Sequence, residues 1–185
     1  MRSLAIAAIG RDRPGIVASV SRVLLDLGCN VEDSSMTLLR GNFSMMLVIA
    51  CPDDLAVDAA RTALQPACDD LGLTFSVLEV DDRASVPEPT HVLTVYGGDK
   101  PGILHRTTEL LASSGVNITD LNSRLVGDTP GSGDTPEPPR PVYALILELE
   151  VPAASDVADL DARLHAVASE IGVDLVLHER EADVL

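Results

Sequence analysis

Tryptophan is absent from the 185 residues, and two phenylalanines and two tyrosines are the only aromatics. The apolar share of 46% therefore comes from Ala, Val, Leu and Ile, which gives an aliphatic core and no platform on which nucleic-acid bases could stack. Lysine is nearly missing as well. Lys100 is the only one, and 13 basic residues stand against 29 acidic ones for a formal charge of −16. Such a chain repels a phosphate backbone, so no direct nucleic-acid partner is expected. The three cysteines, Cys29, Cys51 and Cys68, are an odd number without a CxxC pair, which suits a reducing, cytoplasmic setting better than a disulfide scaffold. No apolar run approaches the roughly 20 residues that cross a bilayer, so no membrane partner is expected. The apolar start of the chain reads as a strand rather than a signal core, because Gly10-Arg11-Asp12-Arg13 follows it and its counterpart lies mid-chain.

Catalytic patterns are missing too. His91, His105, His165 and His178 fall at no metal-ligand spacing, so neither metal nor cofactor is expected. Phosphate loops, dinucleotide fingerprints and nucleophile elbows do not occur. Asp159-Leu160-Asp161 has the spacing of a phosphatase nucleophile, but it lies within a helical stripe and reads as a solvated helix face. The chain is expected not to be an enzyme.

What is present is a repeat. Asp12-Arg13-Pro14-Gly15-Ile16-Val17 returns 87 residues later as Asp99-Lys100-Pro101-Gly102-Ile103-Leu104. The same interval carries Gly28 onto Gly115, Asn30 onto Asn117, Val31 onto Ile118 and Asp33 onto Asp120. A spacing held across a turn, a helix and a strand start means two copies of one supersecondary unit. Gly72 and Gly172 are 100 residues apart, so about 13 residues entered the second copy, and the Pro-rich stretch 127–141 is the insertion. The expected domains are 1–80 and 91–185, joined by a linker at 81–90 with two prolines.

Within the first copy, 4–9 reads as a buried strand. Ile16, Val17, Val20, Val23, Leu24 and Leu27 then recur at helical spacing up to a helix-ending Gly28. Strands at 31–39 and 43–50 flank a tight turn at Arg40-Gly41-Asn42. Pro52-Asp53-Asp54 opens a second helix with the stripe Ala56, Ala59, Ala60, Ala63, Leu64, Ala67 and Leu71, in which Pro66 should kink, split or shorten it. A strand at 73–80 closes the unit. The second copy repeats the order, with Val157, Leu160, Leu164, Val167, Ala168 and Ile171 on one side of its last helix. Strand, helix, strand, strand, helix, strand predicts an α+β class: two ferredoxin-like βαββαβ units, each a four-stranded antiparallel sheet with both helices on one face.

The Asp-x-Pro-Gly-Ile-(Val/Leu) turn followed by Gly-x-Asn-(Val/Ile)-x-Asp, found in both copies, resembles the ACT domain, a regulatory module of amino-acid metabolism. The resemblance implies a regulator that binds a small amino acid, glycine or serine, where modules meet, and acts through a protein partner. A transcriptional regulator of glycine or one-carbon metabolism fits, as does a homodimer. The alternatives are a scaffold without a ligand and a detached regulatory part of an amino-acid-metabolism enzyme. Whether the modules pair within one chain or across a dimer is left open.

The residues that carry the resemblance are the candidate ligand site: Asp12, Arg13, Pro14, Gly15, Ile16, Asn30 and Val31, and again Asp99, Lys100, Pro101, Gly102, Ile103, Asn117 and Ile118. A helix that starts after Pro14 or Pro101 leaves backbone N–H groups and a positive dipole end free for a carboxylate. Glycine lets a ligand come close, or merely allows the turn. Asp12 and Asp99 either cap the helix or accept an ammonium group. Arg13 and Lys100 either meet a carboxylate or extend into solvent. Asn30 and Asn117 offer an amide donor and acceptor, or are structural. The copies differ where Gly10-Arg11 becomes Gly97-Gly98 and Ala18 becomes His105, so two sites of unequal affinity, or only one working site, would follow.

Overall fold

Apolar residues alternate along the central strands and recur at helical spacing between them, and the backbone follows both periods. The computed structural model describes residues 2–80, 87–128 and 141–180. They fall into two units, Met1–Ala84 and Ser85–Leu185. The first runs β1 (Arg2–Arg11), α1 (Ile16–Asp26), β2 (Asn30–Leu39), β3 (Asn42–Cys51), α2 (Val57–Leu71) and β4 (Thr74–Glu79). Its sheet order is β2-β3-β1-β4, with every pair antiparallel. The second runs β5 (His91–Gly98), α3 (Ile103–Ser113), β6 (Asn117–Asp128), β7 (Pro141–Glu150), α4 (Val157–Ile171) and β8 (Asp174–Glu179), in the matching order β6-β7-β5-β8. Both units are ferredoxin-like, as the pattern predicted. Both edge strands slip register at the same place, between Val31 and Asp33 and between Ile118 and Asp120.

Alternation builds the cores. Leu4, Ile6 and Ala8 of β1 and Phe43, Met45, Leu47 and Ile49 of β3 face Ile16, Val20 and Leu24 of α1 and Ala60, Leu64 and Cys68 of α2. Leu93, Val95, Leu145, Leu147 and Leu149 meet Ile103, Leu111, Leu160, Leu164 and Ala168 in the second unit. Each fully buried aliphatic side chain contributes about 1.5–3 kcal/mol relative to exposure. The opposite sheet faces expose Ile9, Met46 and Leu78 in one unit and Tyr96, Ile146 and Val176 in the other.

Several boundaries differ from the pattern. β1 extends to Arg11 because its pairing with β3 continues through Gly10↔Phe43 and Arg11↔Asn42; backbone hydrogen bonding, not side-chain polarity, ends the strand. The hairpin turn consists of Arg40 and Gly41 alone, with φ of 49° and 79°, while Asn42 already belongs to β3. Two successive positive φ values match the right-handed twist of the strands. α2 starts at Val57, after a turn closed by Leu55 N–H donating to the Pro52 carbonyl at 3.1 Å. It runs through Pro66 to Leu71, neither split nor shortened. Its buried line is Ala60, Leu64, Cys68 and Leu71, so the all-alanine part of the expected stripe, Ala56 and Ala59, is exposed. Similarly, Val17 and Val157 lie outside the buried faces of α1 and α4.

Two expectations fall largely outside the described residues: the linker over 81–86 and the insertion over 129–140. Among the described residues no helix is long and apolar enough to cross a membrane, and no group of His, Cys, Asp and Glu is placed to hold a metal ion.

Candidate functional site

The strand-to-helix turn is tied to the hairpin end of its own sheet. Asp12 N–H donates to the Gly41 carbonyl at 3.0 Å, and Asp99 N–H to the Pro141 carbonyl at 3.4 Å. The chain then passes Pro14 or Pro101 and enters the helix through a glycine in the left-handed region, Gly15 at φ 96° and Gly102 at φ 98°. That conformation demands glycine on its own, because an L residue there meets its own carbonyl. A Cβ added to either glycine would touch nothing within 4 Å, so the space over both turns is open.

Asp12 and Asp99 do not cap their helices. The N-cap residues are the glycines, no side chain bonds the helix start, and neither first turn holds an acidic residue. The capping reading is therefore corrected: the left-handed glycine takes the N-cap position, and the aspartates lie three residues before it. The first intrahelical bonds run from Ser19 to Gly15 and from Arg106 to Gly102, both at 2.9 Å, so the N–H groups of the three residues before each donor have no helical acceptor. A carboxylate placed there would gain those donors and the dipole end.

Arg13 and Lys100 are both exposed, and each has an acceptor across its unit. Arg13 lies 3.7 Å from Asp70 in the last turn of α2. Lys100 Nζ donates to the Ile171 carbonyl at the end of α4 at 3.2 Å. Each cation thus reaches across to the C-terminus of its unit's second helix. Gly10 and Gly97 belong to the same feature, which the sequence reading passed over. A Cβ on Gly10 would stand 2.7 Å from Leu73 Cδ2 and 2.9 Å from the Gly72 carbonyl oxygen; one on Gly97 would stand 3.0–3.2 Å from Val173. Their recurrence at the repeat interval was the available signal. His105, the counterpart of Ala18, is exposed and lies 3.8 Å from Glu109 on its own helix.

Asn30 and Val31 are not beside the turn within their unit. Asn30 pairs with Ala50, which pairs with Ser3, whereas the turn hangs from the other end of β1 and β3. The ten-residue β2 separates them by roughly 30 Å at about 3.3 Å per residue. Asn117 and Ile118 are equally remote from Gly102, at the Glu150 and Leu149 end of β7, where Asn117 Nδ2 donates to Glu150 Oε2 at 3.4 Å. Asp159, the first member of the phosphatase-like spacing, lies in the first turn of α4 with Arg163 at 3.6 Å, while Leu160 beside it is in the core.

Residues 2–78 match the family model described as the ACT domain. The chain is 27% identical over 173 residues to the glycine cleavage system transcriptional repressor of Escherichia coli (strain K12), covering 91% of this chain and 85% of that protein. A UPF0237 protein of Methanopyrus kandleri is 39% identical over 82 residues, which is 44% of this chain and 91% of that protein. Among solved structures, a protein from Galdieria sulphuraria superposes with a TM-score of 0.80 at 27% identity, covering 97% of this chain and 99% of that one. The first unit belongs to the ACT-domain family, and the second repeats its turn, its strand-start motif and its ferredoxin-like fold.

Proposed function

We propose that this chain is an amino-acid-responsive regulatory protein that binds glycine or serine and passes the signal to a protein partner in the control of glycine or one-carbon metabolism. The observation that carries the reading is the repeated turn, in which a left-handed glycine opens a helix without any side-chain cap and leaves open space above its N–H groups. A small α-amino acid matches it. Its carboxylate takes the N–H groups, and its ammonium the Asp12 or Asp99 carboxylate.

The asparagines complete such a site only from a second module. When two β2 strands, or two β6 strands, lie antiparallel edge to edge, the start of one comes beside the end of the other, and Asn30 of one module approaches the turn of its neighbour. β2 is exposed along its whole length and carries Met36, Leu38 and Leu39 outward, which suits an edge that acquires a partner. The proposed assembly is a homodimer, and regulation follows from the amino acid's preference for the joined arrangement. A tenfold preference shifts that equilibrium by about 1.4 kcal/mol.

Calorimetry with the twenty amino acids tests the proposal. Saturable heat with glycine or serine is expected, lost in Asn30→Ala combined with Asn117→Ala. The absence of heat with every amino acid, with a partner captured equally well in their presence and absence, would show a constitutive scaffold instead.

A further inference from the structure

Cys29 and Cys51 bring their sulfurs to 2.9 Å in the first unit. The approach comes from the fold. Asn30 pairs with Ala50, so Cys29, one residue before β2, stands opposite Cys51, the last residue of β3. Directly opposed residues hold their Cβ atoms about 4.5–5.5 Å apart, close to the 3.5–4.5 Å of a disulfide. The remaining adjustment falls at a strand end, just after Gly28 at φ 72°. Cys51 is fully buried and Cys29 half-buried, while Cys68 is buried in α2.

The second unit supplies an internal comparison. Val116 and Val151 occupy the equivalent positions, flanking the pair Asn117↔Glu150, and both are core residues 6% exposed. Two valines therefore satisfy the packing at this point of the fold. The first unit places a thiol on each side instead.

We propose that Cys29 and Cys51 are a reversible dithiol–disulfide site whose oxidising substrate is a low-molecular-weight disulfide, and that its closure locks the start of edge strand β2 onto β3. The Cys29 thiolate attacks one sulfur of the small disulfide. That S–S bond breaks, a thiolate leaves and takes a proton from water, and a mixed disulfide forms on Cys29. Cys51 then gives up its proton and attacks Cys29 Sγ, which expels the second small thiolate. Two protein thiols have lost two electrons and two protons, and one small disulfide has become two thiols. Cys29 is the first to react because solvent reaches it, whereas burial and the contact with Cys29 push the Cys51 thiol up to about 12 and hold it protonated until the mixed disulfide stands beside it. The lock closes one residue before Asn30, and any effect on amino-acid binding rests on the function proposed above.

The test uses the full chain with glutathione disulfide. Alkylation after unfolding should find one reactive thiol, Cys68, in place of three, with a mass loss of two hydrogens that dithiothreitol reverses. In Cys51→Val the glutathione adduct should instead accumulate on Cys29. Hydrogen exchange at the Asn30 and Val31 amides should slow on oxidation. Three thiols persisting, a stable glutathione adduct on wild-type Cys29, or a bridge to Cys68 would overturn the site; closure with unchanged exchange at Asn30 and Val31 would overturn the lock. None of these readouts depends on a bound amino acid, so the site and the proposed ligand fail separately.

Discussion

Alanine at Gly10 puts one methyl group where the strand-to-helix turn leans on the end of α2. The new Cβ would stand 2.7 Å from Leu73 Cδ2 and 2.9 Å from the Gly72 carbonyl oxygen, against the 3.5–4.0 Å at which carbon atoms pack best. The leucine methyl can rotate away. The carbonyl cannot, because Gly72 N–H and Leu73 N–H are bonded to the Asp69 and Cys68 carbonyls at 3.1 and 2.8 Å. Overpacking against a fixed backbone costs about 1–3 kcal/mol. Removing a glycine from a strand returns about 0.5–1 kcal/mol. The net expectation is a loss of about 1 kcal/mol from the middle of both ranges and up to about 2.5 kcal/mol, and in a unit of this size each kcal/mol lowers the melting temperature by roughly 4–8 °C.

Gly97→Ala and Gly98→Ala make the result specific to this contact. At Gly97 the new Cβ would meet Val173 Cγ1, Cα and Cβ at 3.0–3.2 Å, tight but without a carbonyl in the way, so a smaller loss is expected. At Gly98 it would meet nothing within 4 Å, and the change should lie within about 0.5 kcal/mol of neutral. Thermal and urea unfolding followed by circular dichroism, with the two units' transitions fitted separately, measure all three. If Gly10→Ala unfolds with the wild type, or if Gly98→Ala is the most damaging of the three, the close approach between the turn and the second helix does not govern stability here.

The other predictions are independent of that contact. Arg40→Asn should stabilise the first unit by about 0.5–1 kcal/mol, because Arg40 sits at φ 49° and asparagine tolerates that region better; an unchanged urea midpoint would contradict the turn assignment. The Cys51 thiol rises from 9.0 unfolded to about 12 folded, chiefly through burial, so between those values the folded state holds the extra proton and stability falls as pH rises. The loss from this thiol is about 1.4 kcal/mol per pH unit, present in wild type and absent in Cys51→Val, as urea midpoints at pH 8 and pH 10 would show. Lys100→Met removes a cation from the C-terminus of α4 and should cost about 0.3–1 kcal/mol, an effect that shrinks in high salt.

The repeat interval made the doubled fold legible, because a spacing of 87 residues is kept through the turn, α1 and the start of β2. Periodicity gave the helix faces where bulky aliphatics mark them, as at Leu160 and Leu164. It misjudged α2, where alanines on both sides erase the contrast and Cys68, not Ala59, completes the buried line. The site was legible as residues but not as a place. Asp12 and Asn30 are 18 positions apart in sequence, and α1 between them returns the chain to the far end of the sheet, so proximity in the motif became separation in space. Capping was misread because Asp-x-Pro is a helix-opening pattern only when the residue after proline is helical, and here that residue is a glycine at positive φ. The Cys29–Cys51 approach depends on strand register, which no local pattern carries.

The two turns share a buttress but not its strength. In the first unit Arg13 reaches a carboxylate, Asp70, that is 85% exposed, at 3.7 Å, and a surface pair of this kind contributes little. In the second, Lys100 bonds a main-chain carbonyl at the helix end itself, and Arg106, in the first turn of α3, pairs with Glu170 in the last turn of α4. The glycine contact runs the other way: Gly10 is pressed harder against its neighbour than Gly97. Rigidity of the first turn therefore depends on packing, while that of the second depends on charge. Salt should loosen the second turn and leave the first unchanged. If both turns bind the same amino acid, the affinity at Gly102 should fall with ionic strength more steeply than that at Gly15, beyond the screening of the ligand's own carboxylate, which both sites feel alike. Equal salt dependence at the two sites, read from calorimetry on Gly15→Val and Gly102→Val, would show that the cations shape the helix ends without positioning the turns.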